Sequence, residues 1–84
     1  LACVRAQECV QNFSHTRPDG TLVSDTYLYG ENLAMNYKST TNLINGWMNS
    51  PGHRGNILNS DYTKGVMACY LCDGVYYWVN LFAW

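Results

Sequence analysis

Gly65-Val66-Met67-Ala68-Cys69-Tyr70-Leu71-Cys72-Asp73-Gly74-Val75-Tyr76-Tyr77-Trp78-Val79-Asn80-Leu81-Phe82-Ala83-Trp84 reads as a β-hairpin. Two runs rich in β-branched and aromatic residues flank Asp73-Gly74, a pair favoured in two-residue turns because both central positions need positive φ. With that pair as the turn centre, the numbers of cross-strand partners sum to 147. Val66, Ala68, Tyr70, Cys72, Val75, Tyr77, Val79 and Leu81 then share one face, and Met67, Cys69, Leu71, Tyr76, Trp78, Asn80 and Phe82 the other. Both faces are largely apolar, so both are expected to be covered. A small antiparallel sheet with helices on either side follows: an α/β fold, specifically an α/β/α sandwich.

The helices to cover it are legible upstream. Residues 1–13 carry Ala2, Cys3, Ala6, Cys9, Val10 and Phe13 as an apolar stripe, with Arg5, Gln7, Glu8, Gln11 and Asn12 between them. Ser14 to Gly20 is polar and ends in the turn signal Pro18-Asp19-Gly20. Residues 21–29 read as irregular chain anchored by Leu22, Val23, Tyr27 and Tyr29, and Gly30 to Tyr37 as a short strand with Leu33, Met35 and Tyr37 on one side. Glu31 heads that strand, where an isolated carboxylate is ordinarily a solvated edge charge. Ser39 or Thr40 caps a helix through Asn49 that turns Leu43, Ile44, Trp47 and Met48 inward. Ser50-Pro51 then stops one helix and starts another, because proline disfavours helix in the residue before it and suits the first helical position itself. His53 falls at the third helical position, where free N–H groups and the helix dipole disfavour a positive ring. A neutral imidazole is suited to bind a metal or accept a proton; capping or packing is the plainer reading.

Eighty-four residues, 48% hydrophobic and 14% aromatic, make one small globular domain. Net charge is −1, so no basic field recruits nucleic acid, and no run is long and apolar enough to span a bilayer. The chain opens on Leu1 in mid-pattern, without an initiator Met or a helix cap, and is expected to be a processed or trimmed form. Four cysteines in so short a chain point to an oxidising compartment. Zinc held by Cys3, Cys9, Cys69 and Cys72 is the rival, but their spacing is not a usual structural-zinc pattern. Cys3 and Cys9 lie ~9 Å apart along a helix at 1.5 Å per residue. A disulfide needs Cα atoms within ~7 Å, so these two should not pair. A bridge from the first helix to the hairpin, Cys9 to Cys69, is the expectation.

Several segments together resemble the CAP superfamily (cysteine-rich secretory proteins, antigen 5 and pathogenesis-related 1 proteins), most of all its bacterial SCP-like extracellular branch. They are Arg5-Ala6-x-Glu8, Phe13 to Gly20, Gly30-Glu31-Asn32-Leu33-Ala34, Trp47 to Leu58, and Tyr77-Trp78-Val79-x-Leu81-Phe82, in the family's order. The resemblance implies an α/β/α sandwich with a central cleft lined by histidines and acidic residues, in some members holding zinc or another divalent cation. Carried over by position, it implies His15, Glu31 and His53 as the metal set. Ser14, Thr16, Arg17, Asn32, Ser50 and Arg54 would line the ligand cleft. Three departures stand out. The family has a further helix before residue 1, so this domain, 1–84, is expected to be N-terminally truncated, with self-association or a retained upstream segment as the consequence. A second cleft glutamate of the eukaryotic members has no counterpart, and Asn80 stands where bacterial relatives have Gln.

Three functions compete: a secreted binding module holding a divalent ion or a small ligand, lipid or peptide; a metal-dependent hydrolase of peptidase type; and a structural or antigenic surface domain. Two imidazoles and a carboxylate suit zinc, but hydrolysis also needs a base for the metal-bound water, and none is evident if Glu31 binds the metal. No catalytic nucleophile is assigned. The binding module is the reading the residues favour.

Overall fold

In the computed structural model, which describes residues 1–25 and 30–83, Asp73 and Gly74 take φ of 51° and 78°. Both values lie in the left-handed region, as a two-residue hairpin turn requires. They join β2 (Lys64–Cys72) to β3 (Val75–Ala83) in the expected register, from Cys72 opposite Val75 to Lys64 opposite Ala83. β1 (Gly30–Met35) pairs antiparallel along the other side of β3, with Gly30 opposite Phe82 and Met35 opposite Tyr77. The sheet order is therefore β1-β3-β2, and β3 is central.

Strand alternation sends successive residues to opposite layers. Leu33, Val79 and Leu81 meet α1 (Ala2–Gln11), whose Ala2, Ala6 and Cys9 are buried at helical spacing. Ala34 and Trp78 meet Leu43 and Trp47 of α2 (Thr40–Met48) on the other side. Two layers of helix thus enclose one small sheet, as expected. Leu43 and Val79 have no exposed surface, and burial of such a side chain contributes about 1.5–3 kcal/mol. The Trp47 indole N–H donates to the Leu33 carbonyl at 3.1 Å, which fixes α2 to β1. Ser39 caps α2 by accepting from the Asn42 N–H, and Ser50-Pro51 opens α3 (Pro51–Leu58). At Gly46 the Tyr37 hydroxyl lies where a side chain would begin, so α2 closes on that ring only because the position is glycine.

Some expectations change. α1 ends at Gln11, Asn12 turns extended, and Phe13, read as part of the stripe, is exposed. Val23 is buried in a 3-10 turn (Val23–Asp25), whereas Leu22 is exposed; Tyr27 and Tyr29 lie outside the described residues. The hairpin is covered on both faces only at β3. On β2, Val66 is 59% and Leu71 54% exposed. The partners of Leu43 and Trp47 are Ala34 on β1 and Trp78 on β3, which leaves Leu71, on the same face of the edge strand, beyond their reach. The four cysteines are free thiols, and the expected Cys9–Cys69 bridge is not formed. Cys69 is paired with Trp78 and shares its face, toward α2, whereas Cys9 packs with Val79 and Leu81 on the opposite face. No helix among the described residues is long and apolar enough to cross a membrane.

Candidate functional site

The site grows from a charge placed where the helical pattern calls for an apolar residue. Ala2, Arg5, Ala6 and Cys9 share the inward stripe of α1, so Arg5 enters the core with no exposed surface. A buried guanidinium needs carboxylates to remain tolerable. Glu31, whose odd-numbered position on β1 faces α1 beside Leu33, supplies the first. Arg5 Nε donates to Glu31 Oε2 at 2.7 Å and Nη2 to Oε1 at 3.0 Å, a two-point fork. Nη1 donates to Glu8 Oε1 at 2.9 Å, and Nη2 also reaches the Ser14 carbonyl at 2.9 Å. Burial works against the charge of Arg5, but its hydrogen bonds to Glu31 and Glu8 outweigh it and raise the guanidinium pKa.

The loop after α1 is clasped to this cluster. Arg17 Nε and Nη2 grip the two oxygens of Glu8 at 3.1 and 3.0 Å, which holds the Glu8 carboxyl below its usual range, with Arg5 adding to the effect. The Thr16 N–H donates to Ser14 Oγ, Gly20 N–H to the Arg17 carbonyl, and the Thr21 N–H and hydroxyl both donate to Asp19. The loop is thereby shaped before any ligand arrives. From it His15 projects with its side chain 59% exposed, and its Nδ1 stands 3.1 Å from Glu31 Oε1. Together with Gly30, Ser24 and Asn56 the pair lines a hollow of about 270 Å³.

His53 is placed on the other side of β1. Its Nδ1 lies 3.0 Å from Ser50 Oγ, so Ser50 makes no cap hydrogen bond to the backbone of α3. Its carbonyl accepts from Asn32 Nδ2 at 3.1 Å. Its ring lies 6.2 Å from that of Trp47, and it lines a second hollow, about 290 Å³, with Phe13, Met35, Tyr37 and Ser50. The imidazole is held below its usual pKa first by burial and then by the nearby His15. The lowered pKa agrees in direction with the sequence reading, and burial is a cause that the sequence did not show.

The expected metal set is divided accordingly. His15 and Glu31 meet, His53 flanks the strand from the far side, and among the described residues no three His, Cys, Asp or Glu side chains gather as a cation site. Both oxygens of Glu31 are engaged by Arg5, one of them also by His15, so its place is behind the His15 ring rather than at a ligand position. Each of the two imidazoles uses Nδ1 for a protein partner, and Nε2 of each makes no hydrogen bond among the described residues. Metal-binding histidines are commonly oriented in this way. Of the expected cleft residues, Ser14 and Arg17 hold the loop, Ser50 holds His53, and Thr16 and Arg54 are exposed. Asn32 is fully buried; its amide binds the His53 carbonyl and accepts from Asn56 Nδ2 at 3.0 Å, tying α3 to β1. Arg5, Glu8 and Asn56 were not singled out as site residues from the sequence. For Arg5 the signal was present, since an arginine three residues after Ala2 and four before Cys9 must point inward.

Comparisons with known proteins agree with this architecture. A stretch of 34 residues, 40% of the chain, is 56% identical to part of the uncharacterized membrane protein YlbC of Bacillus subtilis (strain 168). A 34-residue stretch is 50% identical to part of the uncharacterized protein YkwD of the same organism. These matches span only 10% and 13% of the relatives' own lengths. No solved structure matches the chain. The model of the CAP family, the cysteine-rich secretory protein family, matches residues 1–82, and the chain belongs to that family.

Proposed function

We propose that this domain is an extracellular binding module that holds a divalent cation, zinc in the first place, or a small polar ligand, at the outer edge of β1. The observation that carries the reading is the setting of His15: an exposed imidazole backed by a buried carboxylate that is itself pinned by a buried arginine. Such a preorganised nitrogen on a protein surface is suited to ligand contact. His53, kept neutral by burial and backed by Ser50, supplies a second imidazole across the strand. A bound cation would be held by the two Nε2 atoms and would contribute Lewis acidity and positive charge there. Glu31 would orient the first ring, and the two hollows beside the strand would admit a small ligand, lipid head or peptide. Membership of the family supports an extracellular location.

Calorimetry with zinc on chelator-stripped protein tests this reading. Binding is expected at neutral pH, weakening as pH falls through the histidine range near ~6.5 because protonated imidazoles cannot ligate. His15→Ala and His53→Ala should each remove most of it. No binding by the wild type, or both variants binding as well as the wild type, rejects the site.

A further inference from the structure

We propose that Arg5 is a positioning residue for His15: it holds the Glu31 carboxylate against Nδ1, and that acceptor selects the ring tautomer that leaves Nε2 unprotonated. What that nitrogen meets rests on the binding reading above; the tautomer does not. Arg5 uses four of its five N–H groups, two on Glu31, one on Glu8 and one on the Ser14 carbonyl. An ionised carboxylate is an acceptor only, and the two guanidinium N–H groups keep this one in place beside Nδ1. The His15 nitrogen that faces it must then carry the proton, so the neutral ring is Nδ1–H with its lone pair on Nε2. An unconstrained neutral imidazole prefers the opposite form, so the carboxylate that Arg5 holds in place reverses the intrinsic choice.

Two further contacts make Arg5 more than an ion-pair partner. The Ser14 carbonyl, bound by Nη2, belongs to the residue immediately before His15, so one guanidinium positions both the backbone leading into His15 and the carboxylate that faces its ring. Glu8, bound by Nη1, carries the clamp on to Arg17, two residues beyond His15. The His15 segment is thereby held from both ends by a single chain of charges running Arg17, Glu8, Arg5, Glu31. Lysine in place of Arg5 keeps the charge but has no planar fork, so it cannot hold both Glu31 oxygens and the Ser14 carbonyl together.

The test is a long-range proton–nitrogen NMR correlation on chelator-stripped, nitrogen-15-labelled protein at about pH 8, above the histidine range. In the wild type His15 is expected as the Nδ1–H tautomer, and the Arg5 Nε–H as a visible, slowly exchanging signal. In Arg5→Lys, His15 should shift toward Nε2–H, and zinc affinity should fall about 10–100-fold, as for other residues that orient a ligand. An Nε2–H ring in the wild type, or an Arg5 Nε–H lost to exchange, overturns the proposal without any variant having to fold. So does a folded Arg5→Lys protein that keeps the Nδ1–H form. A wild type that binds no zinc while its tautomer is Nδ1–H and switches in Arg5→Lys supports the positioning role and rejects only the cation reading.

Discussion

Glu31→Gln keeps the size of the side chain and removes the negative charge from beside a guanidinium with no exposed surface. Both partners are buried, at 0% and 3% side-chain exposure, so solvent screens little of the loss. Removing one partner of a buried ion pair costs about 3–5 kcal/mol, because the remaining charge is left uncompensated. Glu8 stays within 2.9 Å of Nη1 and offsets part of that, which places the expected cost near the lower end, about 3 kcal/mol. A domain of this length has about 4–13 kcal/mol of stability in all, at 0.05–0.15 kcal/mol per residue. The substitution should therefore remove a large share of it, and lower Tm by about 12–24 °C at 4–8 °C per kcal/mol. Urea denaturation at neutral pH, followed by Trp47 and Trp78 fluorescence, measures it. Arg5→Met combined with Glu31→Leu should recover part of the loss, because a buried pair replaced by apolar side chains is often neutral. A cost for Glu31→Gln below about 1 kcal/mol, the level of an exposed pair, would refute the reasoning.

Three further outcomes are expected. The folded-state pKa of His53 lies below its unfolded value, so its contribution to stability is complete above about pH 6.5 and declines as pH falls toward the folded value; urea midpoints measured from pH 8 to 5 should fall less in His53→Gln than in the wild type. Cys3 is exposed and Cys9 is buried with its thiol pKa raised, first by burial. A thiol reagent should modify Cys3 at once and Cys9 only on unfolding, and fewer than four thiols in denaturant would reveal a bridge. Val66 and Leu71 stand exposed on an edge strand that has one charged residue, Lys64, among its nine. Concentration-dependent sedimentation is expected, reduced by Leu71→Lys; an ideal monomer at high concentration would reject it.

The sequence by itself determined the hairpin and its register, since Asp73-Gly74 admits one turn geometry and a shift by one residue would reverse every side chain. It also determined the Ser50-Pro51 helix break, and it narrowed the cap of α2 to Ser39 or Thr40, of which the structure takes Ser39. From the order of its motifs came the resemblance to the family that residues 1–82 match. Only the tertiary structure decided how the candidate site is divided. Glu31 and Asn32 are adjacent in sequence, yet alternation along β1 sends one to Arg5 and His15 and the other to His53 and Asn56. Local pattern could not tell a solvated carboxylate at the head of a strand from one pinned in the core, because the arginine that makes the difference lies 26 residues away. The same holds for Cys69, whose distance from Cys9 follows from the sheet face that α1 covers, and that was settled by the packing of Ala2, Ala6 and Cys9 on Val79 and Leu81.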